Sequence, residues 1–182
     1  MTKIIYPCII ITFFSVLIGR AQENIYTSKD AKIKFFSSAP LENIDATSTK
    51  GNSAINISTG DIIFKVRINT FQFKKKLMQE HFNENYLESE KYPFAEFRGT
   101  ISDPKKLQQV GTYDLTVTGK LNIHGVEKPY TTKINVIKTP TMWTATADFD
   151  IRVADHNIKI PTVVWKNIAE VVNTKITAVY KK

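Results

Sequence analysis

His81, His124 and His156 are the three imidazoles of this 182-residue chain, and imidazole is the side chain best suited to proton transfer or zinc ligation near neutral pH. Their spacing supports neither role. No two lie one helical turn apart, no HExxH occurs, and the single cysteine, Cys8, is far upstream of all three. His124 precedes Gly125 in what reads as a hairpin turn, and His156 sits between Asp155 and Asn157 in a polar turn. His81 edges an apolar helical stripe. All three are read as structural, with no metal site. Glu84, Glu88 and Glu90 crowd one short segment, but like charges so close describe a solvated rim more readily than an acid and base pair. There is no Gly-x-Ser-x-Gly elbow and no Gly-rich phosphate loop, because the seven glycines are dispersed. Nothing positions a nucleophile. The chain is read as a non-enzyme without a cofactor.

The elements around these residues are more informative. Residues 77–99 (LMQEHFNENYLESEKYPFAEFRG) separate two stretches with strand-like alternation, DIIFKVRI at 61–68 and EFRGTIS at 96–102. A hairpin needs only a few connecting residues. Leu77, Met78, His81, Phe82 and Asn85 recur at helical spacing, so the insertion is expected to form a short helix with a narrow apolar stripe that covers something.

Eight strands are expected, at 31–37, 53–58, 61–68, 96–102, 111–123, 128–137, 142–152 and 173–180, a natural number for a closed barrel. Along 111–123, Tyr113, Leu115, Val117, Leu121 and Ile123 share one face while Thr112, Asp114, Thr116, Thr118, Lys120 and Asn122 share the other. Gly119 falls on the apolar face, where a coiled strand would bend. Ile62, Phe64, Val66 and Ile68 repeat the pattern, as do Ala147, Phe149, Ile151 and Val153, and then Ile176, Ala178 and Tyr180. An eight-stranded barrel is filled by its own side chains or holds one small ligand. Gly119, Ala145, Ala147 and Ala178 leave room for a ligand; Phe64, Tyr113 and Phe149 could fill it. Periodicity leaves both readings open.

Lys3, an apolar run over 4–18 and the small residues Gly19 and Ala21 form a secretory signal peptide. The run is shorter than the ~20 residues of a membrane-spanning helix. Cleavage after Ala21 defines a leader at 1–21 and one domain at 22–182, periplasmic or secreted. Cys8 belongs to the leader. The formal charge of +8 becomes +6 once Lys3 and Arg20 are removed, with 23 basic residues against 17 acidic. Basic residues are scattered apart from Lys74-Lys75-Lys76 and Lys181-Lys182, which argues against nucleic-acid binding. A weak contact with an anionic membrane surface stays open, beside the plainer reading of a solvated basic face.

The insertion, the segment LTVTGKLNIHGVEKPYTTKINV at 115–136 with its His-Gly turn, and FDIRVADHNIKIP at 149–161 resemble, in this order, the YceI-like family of secreted bacterial proteins. The resemblance covers most of the chain after residue 30. It implies an all-β, eight-stranded antiparallel lipocalin-like barrel with a short helical insertion. It also implies a lumen that binds a long-chain isoprenoid or fatty amphiphile without catalysis. On that reading Phe64, Val66, Ile68, Tyr113, Leu115, Val117, Leu121, Phe149 and Ile151 line the walls, and Leu77, Met78 and Phe82 form the lid. The competing reading is an envelope interaction or stress-related protein whose barrel is a packed scaffold with no ligand.

Overall fold

The computed structural model describes residues 24–38, 43–159 and 170–181. The leader expected at 1–21, with Cys8, lies outside these residues, as does Pro161. Among the described residues nine antiparallel strands follow in order: β1 (Ile25–Ser37), β2 (Ile44–Asn56), β3 (Asp61–Arg67), β4 (Gln72–Phe73), β5 (Phe94–Ile101), β6 (Gly111–Ile123), β7 (Val126–Lys138), β8 (Trp143–Arg152) and β9 (Val171–Tyr180). The short β4 pairs only with the start of β2. The other eight run β1-β9-β8-β7-β6-β5-β3-β2, and β2 returns to β1, so the sheet closes into a barrel. The helix α1 (Lys76–His81) lies in the insertion between β4 and β5.

Alternation builds the wall. In β6, Leu115, Val117, Leu121 and Ile123 are buried while Thr112, Asp114, Thr118 and Lys120 are exposed, the pattern of a sheet with one dry face. β6 and β7 pair along their whole lengths, from Gly111↔Lys138 to Ile123↔Val126. Only His124 and Gly125 connect them, at φ +53° and +73°. Two successive positive φ values are what a two-residue type I′ hairpin requires, and His is among the side chains that tolerate this region best.

Two strands begin well before the expected boundaries. β1 begins at Ile25 rather than at 31, and its pairing with β2 shifts register around Ala31, a bulge that bends the strand. β2 begins at Ile44 rather than at 53, because its inward positions are Ala46, Ser48, Gly51 and Ser53, all buried. Small side chains there make room for larger neighbours: a Cβ on Gly51 would lie 2.6 Å from Ile33 Cδ1 and 2.9 Å from Phe64 Cζ. Ile68, expected to finish a strand, instead opens a 3-10 turn over Ile68–Thr70.

One end of the barrel is packed solid. Tyr26 meets Trp143 edge to face at 4.9 Å, and Trp143 lies 4.9 Å from Tyr180. Ile55, Ile101, Leu107, Leu115 and Val136 surround them, all buried. Ser53 donates to the Ile63 carbonyl at 2.8 Å and accepts from the Tyr180 hydroxyl at 2.7 Å. Burial pushes the Tyr180 phenol up to about 12, so this interior hydroxyl stays neutral and hydrogen-bonded.

Gly119 does not line empty space, contrary to the expectation for it. It stands directly opposite Gly99 in the pairing of β5 with β6, and a Cβ on it would lie 2.2 Å from the Arg98 carbonyl oxygen and 2.5 Å from Gly99 Cα. Two facing glycines let the strands coil tightly. Gly119→Ala is therefore expected to cost about 1–3 kcal/mol, since backbone rather than a movable side chain must give way. Urea unfolding measures this, and a midpoint equal to that of the parent would show that the close approach does not constrain the fold.

Candidate binding cavity

Beyond the packed end the barrel opens into a cavity of about 640 Å³. β7 and β8 pair only from Ile134↔Ala147 to Lys138↔Trp143, although both strands continue well past Ile134 and Ala147 toward the other end. Beyond that last pair the two stretches are no longer hydrogen-bonded to each other. Side chains at this level are modest in size: Ala145, Ala147 and Ala178 all face the space, joined by Val66, Val117, Ile134 and Ile176. The packed end fills the same cross-section with Trp143, Tyr26 and Tyr180 instead. The lining is overwhelmingly apolar. Its polar side chains include the hydroxyls of Ser37, Thr132, Thr146 and Thr174, with Lys75 and His81 contributed by the insertion.

An aromatic cluster closes part of the mouth. Phe82 stacks on Phe35 with ring centres 5.4 Å apart and meets Phe73 at 4.9 Å and Phe71 at 5.8 Å. Such contacts add roughly 0.5–1.5 kcal/mol each beyond their burial, which fixes the insertion over the lumen. Met78 is half-buried beside them, whereas Leu77 is 61% exposed at the rim. Of the stripe expected on the helix, His81 and Asn85 are also exposed.

Helical spacing fails here for a definite reason. α1 stops at His81 and continues as a π turn, Phe82–Tyr86, in which Leu87 N–H donates to the Phe82 carbonyl five residues back at 2.9 Å. This longer turn brings Leu87 onto the cavity wall, where a period of 3.6 does not place it; Tyr86, four residues beyond Phe82, lines the wall as well.

The far half of the insertion is tied to the β6–β7 hairpin. Glu88 Oε2 lies 2.6 Å from His124 Nε2, and His124 Nδ1 lies 3.2 Å from the His156 carbonyl oxygen. Carboxylate and carbonyl are both acceptors, so each contact is a hydrogen bond when the imidazole nitrogen facing it carries the proton. Tyr92 packs edge-on against His124 at 4.5 Å. A Cβ on Gly125 would lie 2.6 Å from the Tyr92 ring, so glycine serves both the turn and this contact. Glu88 is thus a structural anchor rather than part of a purely solvated rim; Glu84 and Glu90 are exposed.

His156 also departs from its expected setting. It ends a 3-10 turn (Val153–His156) and is fully buried, stacked on Tyr130 at 6.0 Å with Nδ1 3.0 Å from the Val126 carbonyl. Burial holds its imidazole below the usual range. Burial and the charge of Asp155 push the Tyr130 phenol up. Among the described residues no three His, Cys, Asp or Glu side chains form a cluster able to hold a metal.

Phe64, Val66, Ile68, Leu77, Met78, Phe82, Val117, Leu121, Phe149 and Ile151 all border the cavity. Tyr113 and Leu115 do not. β6 is long enough for its first residues to pass beneath the floor, where Leu115 joins the packed end and the Tyr113 hydroxyl reaches the carbonyls of Gln109 and Val110, each at 3.3 Å. Ile33, Phe35, Phe71, Phe73, Tyr130, Ile158 and Val172 complete much of the wall without having been singled out in the sequence. Phe35 and Ile33 alternate within 31–37, a signal that was available. Phe71 precedes and Phe73 ends the two-residue strand β4, which is too short for a period to mark them.

The YceI-like domain model matches residues 26–180. No curated protein matches the chain by sequence. Among solved structures, similarity extends to a polyisoprenoid binding domain from Saccharophagus degradans implicated in plant cell wall breakdown, with TM-score 0.76 at 15% identity over 88% of this chain and 99% of that one. Burkholderia cenocepacia BcnA aligns with TM-score 0.65 at 18% identity over 82% of this chain and 95% of its own. The YceI protein of Campylobacter jejuni gives 0.61 at 12% identity, covering 80% and 88%. At these identities the likeness is one of fold.

The buried imidazole has a consequence for pH dependence. With its folded pKa depressed, His156 takes up a proton more readily in the unfolded chain, so stability rises with pH and is lost as pH falls below about 6.5. His156→Asn, which retains a donor toward Val126, is expected to reduce the loss in urea midpoint between about pH 7.5 and about pH 5. An undiminished loss in the variant would place the acid sensitivity elsewhere.

Proposed function

The chain belongs to the YceI-like domain family, and from that premise we propose that it binds a long-chain isoprenoid or another amphiphile in the barrel cavity, without catalysis and outside the cytoplasm. The observation that carries the reading is the apolar, part-covered lumen of about 640 Å³ beside an end of the same barrel filled by Tyr26, Trp143 and Tyr180. The volume lies within the range of small-molecule sites, and the few hydroxyls on an apolar wall suit a ligand that is mostly hydrocarbon. The polyisoprenoid-binding domain of similar fold supports this class of ligand. The leader-like stretch at the start of the sequence supports export.

Energetics favour long chains over short ones. Each methylene moved from water into the lumen gains roughly 0.8 kcal/mol, so a dozen carbons gain about 10 kcal/mol. Association costs on the order of 4–15 kcal/mol. Short prenols should therefore bind weakly and longer ones tightly until the lumen is full. Met78 and Phe82 cover the chain, while Lys75, His81 and the rim hydroxyls meet whatever polar end remains near the mouth.

Val117 tests the reading, because it is buried and borders the cavity midway along β6. In a hollow lumen Val117→Trp places its indole where ligand would lie. Affinity for geranylgeraniol should fall at least tenfold, while the ligand-free protein unfolds within about 1 kcal/mol of the parent. A loss of about 1–3 kcal/mol, typical of overpacking, together with a parent protein that binds no prenol, would support the packed scaffold instead.

A further inference from the structure

We infer that the Lys74–Leu77 edge of the insertion docks on an anionic phospholipid bilayer and sets the cavity mouth against it; this rests on the lipid-binding reading above. Lys74, Lys75, Lys76 and Leu77 are consecutive and all exposed. The placement of the charges runs against local stability. Lys75 is the N-cap and Lys76 the first residue of α1, with no acidic side chain in the first turn, whereas the amino end of a helix favours negative charge. Lys76 pairs with Glu80 at 3.6 Å, and its side chain stays 92% exposed. An exposed leucine beside three lysines gains nothing from folding either. Both features suit an interface of anionic headgroups over hydrocarbon, where lysines meet the charge and a single apolar side chain enters the boundary.

Continuity with the lumen points to a bilayer rather than an acidic protein. Leu77 and Lys75 border the cavity while also facing outward. The apolar wall therefore runs from Val117 through Phe82 to Leu77 at the surface, and a hydrocarbon chain could pass from membrane to lumen along protein rather than through water. The other half of the insertion carries Glu84, Glu88 and Glu90, and Glu88 is held by His124. Charge therefore orients the contact, with the lysine edge toward the membrane and the acidic edge away. Among the described residues no helix is long and apolar enough to span a bilayer, so the attachment proposed is peripheral and reversible.

The test uses sedimentation of the protein with vesicles of equal parts phosphatidylglycerol and phosphatidylcholine, or of phosphatidylcholine alone. The parent should bind the anionic vesicles, lose that binding in high salt, and ignore the neutral ones. Each lysine contributes about a fivefold factor, so Lys74→Glu with Lys76→Glu should lower partitioning at least tenfold. Neither residue borders the cavity, so geranylgeraniol uptake from dilute detergent should be unchanged. Leu77→Ser should weaken vesicle binding without altering its salt dependence. Equal binding of the double variant to anionic vesicles, or no binding by the parent, overturns the docking surface. Retention on polyglutamate as strong as on vesicles, insensitive to Leu77→Ser, also overturns it in favour of an acidic protein partner. Vesicle binding by a parent that takes up no prenol would leave the surface standing and remove the carrier reading.

Discussion

Because β1 hydrogen-bonds to β2 on one flank and to β9 on the other, the sheet has no free edge at that seam, and its whole inward face must be covered from within. That closure governs the rest of the molecule. At one end Tyr26, Trp143, Tyr180 and Leu107 fill the bore. At the other, β7 and β8 cease to pair beyond Ile134↔Ala147 and a cavity of about 640 Å³ remains, walled in part by Ala145, Ala147 and Ala178. Empty space inside a protein forfeits the dispersion contacts that atoms on either side would make. A lumen of this size is therefore a standing cost to the ligand-free fold, and a flexible hydrocarbon is the kind of molecule able to recover it.

The insertion answers the same constraint at the mouth. Its two halves are held by different forces. Phe82 is anchored by aromatic packing on Phe35, Phe71 and Phe73, while Glu88 and Tyr92 are fastened to the His124–Gly125 turn by a hydrogen bond and ring contact. Between these attachments the π turn carries Tyr86 and Leu87 over the lumen. The histidines thus serve the cover and wall: His124 as a clasp, His156 as a buried strut carrying Val126.

The barrel was legible in the sequence wherever a strand alternates large apolar with polar residues, as β6, β3 and β9 do. It was obscured in β2, where the inward residues are Ala46, Ser48, Gly51 and Ser53. Their smallness reflects the size of Ile33 and Phe64 on the flanking strands β1 and β3, a tertiary cause that no local pattern expresses. Most of the wall residues read from alternation border the cavity, but alternation fixes only the face of a residue and not its depth. Tyr113 and Leu115 share a face with Val117 and lie below the floor. The fully buried setting of His156 was likewise hidden, since its neighbours Asp155 and Asn157 are polar and the burial comes from β7. Leu87 escaped because a π turn interrupts the helical period.

The central claim is that the lumen of the native protein is occupied by hydrocarbon. Native mass spectrometry of protein purified gently from its own host, followed by solvent extraction, tests it most directly. The account predicts one amphiphile with a long apolar chain per barrel, released on denaturation and recovered in the organic phase. A bare polypeptide mass with no extractable lipid, from protein that also fails to take up added prenol, would contradict it.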